Sequence, residues 1–101
     1  MRIDFSQSGG ITGIRLSLTL DTANMPPDEA REFEDCVNRS GFFDLPEVLQ
    51  SAGADRIQYR LTIERDKTSH SVQMDDGAIP SALAPLIKRL EADSRLRPAA
   101  K

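Results

Sequence analysis

The chain has 101 residues, of which 39% are hydrophobic and 29% charged, enough for one ordered domain with a single core and too apolar for a disordered chain. Its formal net charge is −3, and no basic stripe with interleaved aromatics appears, which argues against nucleic acid as a partner. No apolar run approaches the roughly 20 residues of a spanning helix, and Met1–Phe5 alternates like a strand and lacks the apolar stretch of a secretory signal.

In chain order, Ile3 and Phe5 alternate with polar residues and predict a first strand. The turn Ser8–Gly13 follows and holds three of the six glycines around Ile11. A second strand is predicted by Ile14, Leu16, Leu18 and Leu20, with Arg15, Ser17 and Thr19 on its wet face. Pro26 and Pro27, followed by Asp28 and Glu29, mark a helix start, and Gly41 marks its end. Ala30, Phe33, Cys36 and Val37 share one face of that helix.

A long connection runs from Ser40 to Arg56, with a short helical turn expected at Pro46–Gln50. Ile57, Tyr59, Leu61 and Ile63 predict a third strand, and Val72 and Met74 a fourth, joined by the turn Arg65–Ser69. Pro80 and Ser81 open a closing helix whose apolar stripe is Leu83, Leu86, Ile87 and Leu90, and Pro85 fits only in its first turn. The expected fold is α+β: a two-layer sandwich with a four-stranded, mainly antiparallel sheet and two helices on one face, in the order ββαββα. It occupies residues 1–93 as a single domain, and 94–101 form a frayed tail.

Leu20–Pro26 aligns without gaps on Met74–Pro80. In both, a strand ends at an Asp and an apolar-Pro pair follows before a helix. Shared turn chemistry explains this better than a duplicated binding loop.

The residues of catalysis are sparse. There is one His, one Cys and one Tyr. His70 is in phase with Val72 and Met74 and reads as a structural side chain at a strand start; it lacks the partners that metal binding or general-base work needs. Cys36 sits in the apolar helix stripe with no His placed to activate it. A single cysteine excludes an internal disulfide and favours a reducing, cytoplasmic setting. Asp75 and Asp76 lack calcium-loop spacing and read as a solvated strand end. No cofactor motif and no metal site of the chain's own is found. The chain therefore reads as a binding protein and not as an enzyme.

Its unusual residues are in loops. Gly9, Gly10 and Gly13 around Ile11 make either a wide, floppy hairpin turn or a loop that another backbone can approach closely; composition alone leaves both open. In Gly41–Pro46, Phe42 and Phe43 cannot both face inward on a regular element, so one closes the core and the other is either exposed or covers the long loop, the second being favoured. Asp55, before Arg56 and the third strand, is either a turn residue or an outward carboxylate for a partner; the residues alone leave both open.

Taken together, S-G-G-I-T-G-I, D-x-x-x-M-P-P, S-G-F-F-D-L-P, A-D-R-I-Q-Y-R-L-T-I, D-D-G-A-I-P and A-L-A-P-L-I-K-R-L resemble, in order and spacing, the emfourin family of protein inhibitors of protealysin-like metalloproteases, themselves of the thermolysin family. Glu47–Gly53 departs from that pattern. The resemblance implies an inhibitor that blocks the cleft of a zinc endopeptidase and is not cut like a substrate. Such enzymes keep an open zinc position beside an apolar side-chain pocket, which an acid and an apolar side chain on adjacent loops can fill. If the first helix returns along the strands, Gly41–Pro46 arrives beside the Ser8–Gly13 turn. The partner-binding candidates are then Gly9, Gly10, Ile11, Gly13, Asp44, Asp55 and Arg56, with Ile11 for the pocket and Asp55 for the target's zinc; Asp44 is second in line, and Asp75 and Asp76 stay in the set. The free protein is expected to be a monomer. The alternative is a non-inhibitory adaptor or chaperone-like module that pairs a sheet edge with a partner strand.

Overall fold

The structure, a computed structural model, describes residues 1–9, 15–51 and 57–96. Its strands are β1 (Arg2–Gly9), β2 (Leu16–Asp21), β3 (Val48–Leu49), β4 (Ile57–Arg65) and β5 (Thr68–Asp75), and its helices are α1 (Pro27–Ser40) and α2 (Ala84–Leu96). The strands form one five-stranded sheet in the order β2-β1-β4-β5-β3. β1 pairs antiparallel with β2 and β4, β4 antiparallel with β5, and β3 parallel with β5.

This corrects the expected four-stranded, mainly antiparallel sheet of order ββαββα: the sheet is mixed, and the order is ββαβββα. The added strand is two residues long. Leu49 lies opposite Met74 and packs against the core, while Val48 is 58% exposed. Two residues give no alternation to read. The connection that precedes β3 carries a 3-10 turn at Phe42–Asp44, and β3 occupies part of Pro46–Gln50, where a helical turn was expected.

The four predicted strands are present, with Leu16 and Ile57 half-buried and Ile14 outside the described residues. Ile3, Phe5, Leu18, Leu20, Tyr59, Leu61, Ile63, Val72 and Met74 are all buried. They meet Phe33 and Val37 of α1 and Leu83, Leu86, Ile87 and Leu90 at α2 in a single core. Each Leu, Ile or Phe withdrawn from water there contributes about 1.5–3 kcal/mol. Helix α1 ends at Gly41 with φ 66°, a left-handed conformation that glycine adopts without steric cost. Pro85 falls in the first turn of α2, where the proline ring has no preceding helical turn to clash with.

The helices cross the strands. Helix α1 starts just after β2, and near its far end Asn38 Oδ1 accepts a 2.6 Å hydrogen bond from Arg65 at the end of β4. Both ends of α1 therefore lie toward the end of the sheet marked by the Asp66 turn between β4 and β5. Helix α2 starts after β5, packs on β2, and has Glu91 accepting from Tyr59 Oη at 3.3 Å. Tyr59 is near the start of β4, so α2 underlies the opposite end, where β1 finishes at Gly9. Arg89 of α2 joins the two helices through Glu32 of α1 at 2.9 Å.

Candidate functional site

The register of the sheet sets what gathers at each end. Gly9 lies opposite Ile57, and Gln58 opposite Asp75. The stems of segment 10–14 (Gly9 and Arg15), the stems of segment 52–56 (Ser51 and Ile57), and the turn after β5 thus share the Gly9 end. Gly9 is exposed with φ 92°. Of the sequence-derived candidates, Gly10, Ile11, Gly13, Asp55 and Arg56 lie outside the described residues.

Asp44 does not join this group. It is exposed in the 3-10 turn after α1. The carbonyl of Leu45 accepts from His70 Nε2 at 2.7 Å, and Phe43 lies under the Arg65 guanidinium at 4.8 Å. Since His70 pairs with Ile63 and Arg65 with Thr68, this segment is at the Asp66 end. The expectation that Gly41–Pro46 arrives beside Gly9 assumed a helix running along the strands; α1 running across them delivers the segment to the other end. The long connection then climbs the outer edge of β5, where Gln73 N–H donates to Glu47 O at 2.8 Å, and reaches the Gly9 end at Ser51.

His70 has the structural role its phase indicated. A carbonyl can only accept, so Nε2 carries the proton, and the ring packs edge-on to Phe42 at 5.3 Å. Phe42 is the Phe that closes the core, and Phe43 is half-buried over the loop. Cys36 is partly buried against the core and free of any disulfide.

The reading of Asp75 and Asp76 as a solvated strand end holds only for Asp76. Asp75 is 2% exposed. Its Oδ2 accepts from Ser51 N–H at 2.8 Å, and its Oδ1 from Ser51 Oγ at 2.7 Å and from Gly77 N–H at 2.9 Å. A buried carboxylate is tolerable when donors converge on it in this way. Asp76 is exposed, and its N–H donates to Ile57 O at 3.0 Å. The turn at 75–77 is therefore bonded to both stems of segment 52–56. Sequence reasoning missed this, because Ser51 is 24 residues away and no local pattern joins it to Asp75.

The open face of the sheet is polar. A shallow depression of about 200 Å³ is lined by Ser6, Ser8, Gln58, Tyr59, Arg60 and Gln73. Arg60 is engaged across it by Gln73 Oε1 at 3.2 Å. Among the described residues, no group of three or more His, Cys, Asp and Glu side chains is placed to hold a metal ion, and no helix is long and apolar enough to cross a membrane.

The fold is thus a two-layer α+β domain in which Gly9, Ser51, Ile57 and the turn after Asp75 are gathered at one end of the sheet. The Emfourin family profile matches residues 5–91, and the chain belongs to that family. Emfourins are protease inhibitors, so membership implies a protease-inhibitor role and a protease as partner. Neither a curated protein nor a solved structure matches the chain.

Proposed function

We propose that the protein inhibits a thermolysin-like, protealysin-type zinc metalloprotease in the cytoplasm, and that it enters the active-site cleft with the Gly9 end of its sheet. The observation that carries this reading is the pairing of Gly9 with Ile57, which brings a stem of the glycine-rich segment beside a stem of the segment that holds Asp55, in a family of inhibitors. In this reading Ile11 fills the apolar substrate pocket and Asp55 approaches the catalytic zinc, with Gly10, Gly13 and Arg56 supporting close approach. Carboxylate oxygen is an ordinary zinc ligand, and a rigidly held loop keeps a scissile peptide from aligning for attack. Asp44, at the far end, leaves that set. Asp75 leaves it as well, because its oxygens already accept from Ser51 and Gly77.

The test is a titration of the protein into a protealysin-type protease with a fluorogenic peptide substrate. Stoichiometric loss of activity is expected, with Asp55→Ala weakening inhibition tenfold or more at nearly unchanged thermal stability. Ile11→Asp should weaken it as well. Full potency in both variants would remove these segments from the interface.

A second reading is favoured by one feature: β2 is six residues long and, among the described residues, pairs on one side only, with β1. A partner strand can add to such an edge, as in an adaptor. Binding of a partner with no loss of protease activity in the same titration would select it.

A further inference from the structure

We propose that the open face of the sheet is a second contact surface for the protease, outside its catalytic cleft. There Arg60, Gln73 and Val48 receive a surface segment of the protease that presents a carboxylate to Arg60 and an apolar side chain to Val48. The proposal rests on the inhibitor reading above and adds to it a surface on the regular strands.

The pairing of the strands sets these residues in one row. Arg60 on β4 lies opposite Ser6 on β1 and Gln73 on β5, Gln73 lies opposite Val48 on β3, and Ser6 lies opposite Ser17 on β2. Paired positions share a face of a sheet, and the residues flanking the row, among them Phe5, Tyr59, Leu61, Val72 and Met74, are buried on the other face. The row therefore crosses the open face from two hydroxyls, through a guanidinium and an amide, to an aliphatic side chain. Two shallow depressions of about 200 and 280 Å³ meet along it, and Arg60 and Gln73 line both.

Arg60 is exposed, and among the described residues it donates to Gln73 Oε1 at 3.2 Å and to no carboxylate. Arg2, on the same face, has Asp4 at 3.5 Å. A guanidinium carries five donors in a planar fork that fits a carboxylate through two parallel bonds. Gln73 takes one donor and holds the group in place, so less freedom is lost when a carboxylate arrives. The neighbours leave the group uncovered: Ser6 is short, and Thr62 and Ser71 bond each other at 2.6 Å. Val48 is 58% exposed, which alone is ordinary for a protein surface. Its place gives it meaning. It lies two strand spacings from Arg60, about 10 Å, within the span of one short peptide segment.

The row is also within reach of the end that enters the cleft. Gly9 pairs with Ile57, and Arg60 is three residues farther along β4, about 10 Å away. A standard protein interface buries about 800 Å² on each partner, a patch roughly 30 Å across. A protease seated on the Gly9 end therefore extends over one layer of the domain. On the open layer it meets the Arg60 guanidinium; on the helix layer the Arg89 guanidinium is already held by Glu32 at 2.9 Å.

The experiment measures inhibition of a protealysin-type protease on a small fluorogenic peptide, over a range of sodium chloride concentrations. It compares wild type with Arg60→Gln, Arg60→Lys, Arg60→Glu, Val48→Asp and, as a control, Arg2→Gln. Melting temperatures should stay close to the wild type, because Arg2, Val48 and Arg60 are all exposed. Arg60→Gln should weaken inhibition about tenfold and flatten its salt dependence, as expected for loss of a charge-assisted contact. Arg60→Glu should weaken it further, Arg60→Lys should recover part of the loss, and Val48→Asp should cost several-fold. Arg2→Gln should match the wild type.

Should Val48→Asp loosen β3, the Arg60 series decides. Wild-type potency and an unchanged salt dependence in Arg60→Glu would overturn the second surface while leaving the inhibitor reading in place. An equal loss in Arg2→Gln would overturn it too, since the effect would then belong to overall charge and not to this row. A wild-type protein that inhibits no such protease would sink the inhibitor reading and this surface together.

Discussion

At Asp21 and at Asp75 a strand ends in an aspartate whose Oδ1 accepts the amide two residues on, at 2.9 Å in both places. The flanking sequences align without gaps from Leu20 to Pro26 and from Met74 to Pro80, and each leads into a helix. The local chemistry is the same, but the surroundings differ. Asp21 is exposed at the Asp66 end, where its carboxylate caps a single 3-10 turn. Asp75 is buried at the Gly9 end and carries two further bonds from Ser51. A repeated motif thus records a shared solution to the strand-to-helix turn, while what each copy does is decided by the chain that passes beside it.

The largest expected effect tests that difference directly. Asp75→Ala removes the acceptor of three donors among the described residues, and hydrogen bonds to a charged group are worth about 1.5–3 kcal/mol each, less where water can replace the acceptor. A loss of about 3–4 kcal/mol is expected, since Gly77 is exposed and Ser51 only half-buried. Asp21→Ala removes one exposed cap and should cost about 1 kcal/mol. Urea denaturation of the two variants measures the gap. Equal losses would mean that the Ser51 bonds add nothing and that the two turns are energetically alike.

Much of this was legible in the sequence. Alternation placed four strands because each buries a row of large side chains on one face, and the prolines and Gly41 placed the helices because they act through local backbone geometry. Asp21 and Asp75 were recognised as turn residues for the same reason. The direction of α1 was not legible: an amphipathic stripe fixes which face is buried but not the angle at which the helix crosses the sheet. That one angle moved Asp44 from the proposed site to the other end. β3 was not legible because its identity lies in its pairing with β5 and not in its own two residues. The Ser51–Asp75 bonds join positions 24 apart, so they exist only in the folded chain. Gly10, Ile11, Gly13, Asp55 and Arg56 lie outside the described residues, and their roles rest on sequence and family.

A smaller effect sharpens the contrast between the ends. Gly41 has φ 66°, and a Cβ built there meets nothing within 4 Å. Gly41→Ala therefore costs backbone strain alone, roughly 1–2 kcal/mol. For a domain near this size each kcal/mol lowers the melting temperature by about 4–8 °C. Because Gly41 is at the Asp66 end, its inhibition constant should match the wild type at any temperature where both are folded. A parallel loss of potency would mean that the two ends are coupled through the core.

The smallest effect asks whether the helix layer supplies such coupling. Arg89 of α2 reaches Glu32 of α1 at 2.9 Å and lies over the Phe33 ring at 4.6 Å. The side chains are 34% and 62% exposed, so solvent and salt screen the pair. The hydrogen bond to Glu32 raises the Arg89 pKa above the ordinary guanidinium value, against the opposing effect of burial. A base shifted upward adds stability that is fully present below its unfolded pKa and lost only as pH rises through the folded one. Its contribution is therefore constant across the neutral range. A double-mutant cycle with Arg89→Gln and Glu32→Gln should give a coupling of about 0.2–0.5 kcal/mol that shrinks in high salt. Arg89→Lys should keep the charge but lose the flat contact with Phe33. A coupling well above 1 kcal/mol would make this pair a strut between the helix under the Asp66 end and the helix under the Gly9 end, and changes at Gly41 would then be felt at Asp75.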